Sequence, residues 1–370
     1  MKKLLTAIVL FFIIAPQASA IVHPTIEESY TNALVTEVKE QKIQIDEQNP
    51  MYDPAKQDPQ YMRIQDVTYE VLNGKHKGII FPSKNEITGQ IFDMDLKVGD
   101  KVVILLKQYD YETFEGFATD YVRNDTMIIF IVLFMIALVV LGKWKGLRAL
   151  VSLAITIGAV FLVLIPYSVK GVNPLLLAIL IGIAVTVATI FIISGVNKKA
   201  ISAITGTVGG LLFAALIAYI VGQISLLTGL SGEDARVLYV NKPELDFGNI
   251  FFASIVIGAL GAIMDVGMSI SSAVHEIAQA NPKTTPKKLF KSGMNVGKDI
   301  MGTMSNTLIL AYVGSAFPLL MLFYLNDFGT FQVMNFDFMA AEIVRSISGS
   351  FGLLLAIPIT ALVGSVFARR

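Results

Sequence analysis

Residues 249–277 read as a membrane-spanning helix, and Asp265 is the one carboxylate within its apolar part. A charge in hydrocarbon costs at least ~2.5–3.5 kcal/mol on insertion scales, so such residues face a bundle interior or a wet cavity and serve ions, protons or structure. At ~100° per residue, Gly258, Gly261, Asp265, Ser269, Ser272 and Glu276 fall within about 80° of one another, a small and polar stripe on one face. Two readings of the stripe stand side by side. One is an ion or proton site; the other is a close-packing face on which Asp265 hydrogen-bonds a neighbouring helix. Glu276 lies near the membrane exit.

Polar groups gather at similar depth on other segments. One apolar segment begins with Ser202, Thr205, Gly206 and Gly209, and another with Thr303, Asn306 and Thr307. Counting ~1.5 Å per residue from Asn249, Asp265 sits about 24 Å inward, in the inner third of a core ~30 Å thick. Asn306 is a few residues above the inner boundary, which allows a hydrogen bond to Asp265 across two helices. The expected site is therefore Asp265, Ser269, Ser272, Gly261, Thr303, Asn306 and Thr307. Carboxylate, amide and hydroxyl oxygens suit a hard cation or a transiently held proton.

Other chemistry finds little support. No second Asp lies inside another apolar segment to form a carboxylate pair, His275-Glu276 lacks the H-E-x-x-H spacing, and nucleotide-binding glycine loops are missing. With no Cys, there is neither a disulfide nor a thiolate site. Asp93, Asp95 and Asp100 lack the spacing of a calcium loop and read as solvated acids, and His23 and His76 as ordinary residues. The expectation is a protein that is not an enzyme and needs no metal or cofactor. Transport against a gradient would draw on an ion gradient or an ATPase partner.

The elements that position these residues follow from the pattern of apolarity. A hydrophobic fraction of 54% and a charged fraction of 16% place the chain in the membrane class. Residues 1–20 carry Lys2 and Lys3, an apolar run from Leu4 to Ala15 and Ala18-Ser19-Ala20, the pattern of a signal peptide cleaved after Ala20. Residues 21–125 form a hydrophilic domain. Strand-like stretches at Ala33–Val38, Met62–Leu72, Gly78–Phe81, Lys101–Lys107 and Gly116–Val122, separated by Asn73-Gly74, Gly99-Asp100 and the Asn49–Pro59 loop, predict a small β-barrel or sandwich. The run Lys84–Gly89 is too polar to assign.

Residues 126–370 form a helical transmembrane domain with seven apolar segments, at about 126–142, 147–166, 174–195, 201–227, 249–270, 303–325 and 344–367. If residues 21–125 are exported, the loops alternate sides. The inner ones hold Lys143, Lys145, Arg148, Lys198, Lys199, Lys283, Lys287, Lys288, Lys291, Lys298, Arg369 and Arg370, twelve basic residues, against Lys170, Arg236 and Lys242, three, in the outer ones. The fold class is thus a polytopic α-helical membrane protein of about seven transmembrane helices preceded by a small β-rich extracytoplasmic domain, in the cell membrane with its C-terminus cytoplasmic. A basic cytoplasmic loop, 277–300, contains Gly293 and Gly297 four apart. It is expected as a short amphipathic helix, either docked beneath the bundle or lying on anionic lipid. Glu342 and Arg345 read as an interfacial ion pair, and Gly206 and Gly210 as a G-x-x-x-G packing motif.

The segments GALGAIMDVGMSISSAVHEI (258–277), SGMNVGKDIMGTMSNTLILAYVG (292–314), GKWKGLRALVSL (142–153) and Asp120-Tyr121-x-Arg123 resemble the YibE/F family of bacterial multi-spanning membrane proteins, over nearly all of residues 95–367. The resemblance implies a membrane protein of a kind generally described as a permease, and short members without the exported domain imply a related family member as a hetero-partner. The expected partners are the lipid bilayer and a second copy or such a relative, with no nucleic acid. Two functions compete: a permease or exporter with a polar inner-half site around Asp265, and a non-transporting membrane assembly or sensor protein whose exported β-domain binds a partner.

Overall fold

The computed structural model describes residues 27–44, 61–87, 93–108 and 114–368. The expected signal peptide and the Asn49–Pro59 loop fall outside them. The described chain divides into two compact units, one ending at Ile136 and the other running on from Ala137.

The first unit contains strands β1 (Glu27–Gln44), β2 (Tyr61–Val71), β3 (Ile80–Ile87), β4 (Lys101–Gln108) and β5 (Phe114–Tyr121), all antiparallel, in the order β3-β2-β1-β4-β5. The long β1 serves two partners: Glu27–Leu34 pairs with β4 and Ala33–Gln44 with β2. An irregularity between Val35 and Glu37 bends it there, as a bulge does. The outer strands β3 and β5 approach where a Cβ on Gly116 would lie 2.6 Å from the Phe81 ring, so only glycine lets the sheet curl this far. The result is a half-barrel with the connectivity of partly open five-stranded OB-type barrels. Inward-facing Val35, Val67, Tyr69, Val102, Ile104 and Leu106 form its core.

All five expected strands are present, and β3 runs further than expected, through the polar Ser83–Ile87. Its polarity has a cause. Lys84 and Glu86 point outward, and Asn85 joins a buried network around Gln65, whose side chain is 2% exposed. Gln65 donates to Asp95 Oδ1 (3.0 Å) and the Leu96 carbonyl (3.1 Å), and accepts from Leu96 N (3.0 Å) and Asn85 Nδ2 (2.9 Å). Arg63 adds bonds to Glu40 (2.7 Å) and Asp95 (3.1 Å), and its guanidinium holds the Glu40 carboxyl below the usual carboxylate range. These bonds strap the 93–96 segment across β2 and β3. Only Val122 and Arg123 separate β5 from the first helix, with Val122 N bonded to the Lys101 carbonyl (2.8 Å) and Arg123 paired to Asp120 (2.6 Å).

The helices are α1 (Asn124–Ala159), continued by a π-turn (Val160–Leu164) into α2 (Ile165–Val169), then α3 (Pro174–Ser194), α4 (Lys198–Ile224), α5 (Glu233–Asn241), α6 (Phe247–Ala280), α7 (Pro286–Ser315), α8 (Phe317–Leu325), α9 (Thr330–Asn335) and α10 (Asp337–Phe367). Five stretches are long and apolar enough to cross a bilayer: Asn124–Val169, Pro174–Ser194, Lys198–Ile224, Phe247–Ala280 and Asp337–Phe367. The pair α7 and α8, bent by 60°, makes a sixth if counted as one span. The two apolar segments expected at 126–142 and 147–166 lie in one 46-residue stretch, broken at Lys143 (φ 47°, ψ −126°). Gly146 lies against the carbonyl of Leu138, eight residues back, an approach that no continuous helix permits, since eight residues rise ~12 Å.

Within residues 277–300 only 281–285 is loop, and the amphipathic helix is longer than expected. α6 runs to Ala280 and α7 starts at Pro286, so the basic stretch is the first half of a continuous 30-residue helix. It docks through its two glycines: a Cβ on Gly293 would meet Val274 (2.7 Å) and Ala361 (3.0 Å), while Gly297 sits on Ile357.

The Gln65 network yields a direct test. Residues 21–122 expressed alone should unfold cooperatively with a sheet-type circular dichroism spectrum. Gln65→Ala should cost ~2–4 kcal/mol, because the Leu96 N–H and Asn85 amide lose their partner, whereas Lys39→Ala on the surface should change little. An unchanged midpoint in Gln65→Ala would show that the strap contributes nothing.

Candidate functional site

α6 is the centre of the helical unit and packs against α3, α4, α7 and α10. One face does this packing. Ile255, Ile263, Ile270 and Val274 are fully buried, a Cβ on Gly267 would lie 2.7 Å from Thr207 Oγ1, and Ser271 Oγ donates to the Lys199 carbonyl at 2.6 Å. The expected stripe lies on the other face. Asp265, Ser269 and Gly261 are exposed on the bundle surface and Ser272 is half-buried. A Cβ on Gly261 would meet nothing within 4 Å. Among the described residues Asp265 has no hydrogen bond and no ion pair. Gly261, Asp265 and Ser269 are thus not part of the surface by which α6 packs.

The helices around it define where this face looks. Gly258 approaches the Tyr312 hydroxyl of α7, with 2.6 Å from its Cβ position, while Ile257 and Met264 on the other flank pack with α3. Asp265 therefore lies on the face of α6 between the flank that meets α7 and the flank that packs with α3. Toward the N-terminal end of α6, Ser254 and Gly258 line a cavity, and toward its C-terminal end the face continues through Ser269 and Ser272 to Glu276.

The polar residues of α7 do not join this face. Thr303, Asn306 and Thr307 are exposed, with Thr303 Oγ1 donating to the Ile300 carbonyl (2.9 Å) and Thr307 Oγ1 to the Thr303 carbonyl (2.8 Å). Asn306 stands nine residues from Gly297, half a turn around the helix at ~100° per residue, so it faces away from the surface that packs on α6 and α10. The expected Asp265–Asn306 bond does not form. Depth along the axis matched the two residues; rotation about the axis separates them.

A polar cluster grows around the ion pair read from the sequence. Arg345 Nη1 bonds Glu342 Oε1 at 2.6 Å as an i,i+3 pair on α10, with the guanidinium carbon 5.3 Å from the Phe251 ring centre and 6.0 Å from that of Tyr312. Arg345 Nε and Glu342 Oε2 are buried without a partner. The pair itself was legible; Tyr312, which lies against both the pair and Gly258, was not, because sequence spacing does not show which helices meet there.

A half-barrel followed by helices able to cross a bilayer, one of them with an unpartnered carboxylate on its open face, defines a multi-pass membrane protein. The chain belongs to the YibE/F family. Residues 130–370 match the YibE/F-like protein family and residues 28–121 match the YibE/F family N-terminal domain. No match was found among curated proteins or among solved structures.

The two kinds of glycine can be told apart by substitution. Gly206, pressed against Thr360, cannot accept a side chain, so Gly206→Leu should sharply reduce folded protein in the membrane, whereas Gly261→Leu should leave abundance and elution profile unchanged. Loss of folded protein in both would mean that the open face is a packing face.

Proposed function

We propose that the chain is a permease, with the open face of α6 lining the route and Asp265 as its ion- or proton-handling group. The observation that carries this reading is an exposed, unpartnered carboxylate on the face of α6 that packing leaves unused. A carboxylate does not stand bare in hydrocarbon, so water, an ion or a polar partner covers it. Packing glue would need a neighbouring helix at Gly261 and a bond to Asp265, and neither is present. Ser269 and Ser272 supply hydroxyls on the cytoplasmic side, and Gly261 keeps the middle of the face open.

In this reading the 46-residue stretch crosses twice, turning at Lys143, and α7 with α8 crosses once, giving seven spans. Residues 21–125 lie outside, the signal peptide having been removed. The contacts between helix ends fit alternate crossing. Arg148 reaches the Ile193 carbonyl (3.5 Å) and Ser271 the Lys199 carbonyl, all at the proposed inner side, while Thr228 bonds Asp337 (3.2 Å) at the outer side. Single-cysteine labelling at Ser231 and Lys287 should report opposite sides; labelling of both from one side would overturn the seven-span topology.

Asp265→Asn tests the function. The amide keeps size and hydrogen bonding and loses the charge, so it should abolish rescue of the deletion phenotype while membrane abundance stays normal. Full rescue at normal abundance would eliminate charge handling at this position. Asp265→Leu, which leaves no polar group, should also fail to rescue without loss of abundance, since no interhelical bond is broken.

A further inference from the structure

Near the outer end of α6 the structure holds two adjoining cavities of opposite character. One, of about 440 Å³, is walled by Leu164, Ile165, Leu238, Ile250 and Ile257, with Ser254 and Gly258 at its α6 side. The other, of about 360 Å³, is lined by Lys170, Asn173, Glu244 and Asp246. They share Ser168, Val169, Pro174 and Leu245, so a polar chamber adjoins an apolar one. Each has a volume in the range of small-ligand sites.

The charges in the polar chamber are not equally available. Asp246 caps α6, accepting from Asn249 N (3.0 Å) and Asn249 Nδ2 (2.6 Å), and Glu244 pairs with Lys242 (3.5 Å). Asn173 Oδ1 caps α3 through Leu176 N (3.0 Å), which leaves its amide hydrogens. Lys170 rests over the Tyr167 ring, 5.1 Å from its centre, and has no ion pair among the described residues. The Ser168 hydroxyl, where the two chambers meet, is buried with no partner among the described residues. A buried hydroxyl without a bond is costly. Asp246 spends its oxygens on the helix cap and Glu244 faces Lys242, whereas the Ser168 hydroxyl, the Asn173 amide and the Lys170 ammonium have no acceptor among the described residues.

We infer that these chambers bind a single-tailed lipid with an anionic oxygen head: tail in the apolar cavity, carboxylate or phosphate oxygens held by Lys170, Ser168 and the Asn173 amide. The combination of a cation with neutral donors beside an apolar chamber suits an oxyanion head, for which charge-assisted bonds are short and strong. A tail without a polar head would leave the buried Ser168 hydroxyl unmatched. The site stands independently of the permease reading, because binding is measured without transport.

The test uses the full chain in phosphatidylcholine nanodiscs with a palmitate carrying a diazirine in its tail. After irradiation, adducts should map to residues 160–169 and 250–258 and be displaced by unlabelled palmitate or lysophosphatidic acid. Stronger displacement by one of these two assigns the head as carboxylate or phosphate. Lys170→Gln and Ser168→Ala should each weaken labelling about tenfold, the loss expected for one charge-assisted or buried hydrogen bond. Ile165→Trp, at the exposed rim, should abolish it by filling the cavity while yield and elution volume stay unchanged. Equal displacement by hexadecanol, persistence of the adducts in Ile165→Trp, or adducts spread over surface positions such as Leu180 and Leu212 would overturn the site.

Discussion

The helical unit depends on the close approach of α4 and α10. In lipid, no hydrophobic force draws helices together, and van der Waals contact between small residues must do so. Gly206 lies on Thr360, Gly210 on the Gly352 carbonyl, and a Cβ on Gly352 would come within 2.7 Å of Ala214. Here the G-x-x-x-G of α4 does what its spacing allows. Ile263 of α6 reaches into this junction, 2.9 Å from the Cβ positions of both Gly210 and Gly352, so the seam also fixes how α6 is rotated. Once Ile263 and Gly267 are held inward, Gly261, Asp265 and Ser269 must look outward.

The barrel solves a different problem. It is small, so its polar groups have to be accounted for within a thin core, and Gln65 does this by holding four bonds at once. Its polar strand β3 is therefore consistent with burial rather than opposed to it.

Much of this was legible in the sequence. Alternation located the strands and long apolar runs located the helices able to cross, while the isolated Asp265 singled out one face of α6 without deciding whether that face is open or packed. Hydropathy divides the helical region into seven segments, whereas the helices form five stretches or six with the bent pair, because Lys143 breaks a helix that resumes at once and α7 bends at its junction with α8. For residues 277–300 the sequence predicts a short helix but its lysines leave docking and lipid contact equally open, and it is Gly293 and Gly297 facing the bundle that decide for docking. Those same glycines could have corrected the placement of Asn306. Its offset of nine residues from Gly297 fixes its rotation, whereas counting residues from the membrane edge fixes only its depth.

The central claim is that the open face of α6 is wet. The chain has no cysteine, so single substitutions at Gly261, Asp265 and Ser269 provide unique thiols. A charged, water-soluble thiosulfonate reacts with a thiolate, which forms only where water reaches. All three should react in membranes, and Leu180→Cys, exposed on the apolar surface of α3, should not. Equal, negligible reaction at the α6 positions and at Leu180 would contradict the account, placing Asp265 against lipid or against a sealed protein surface.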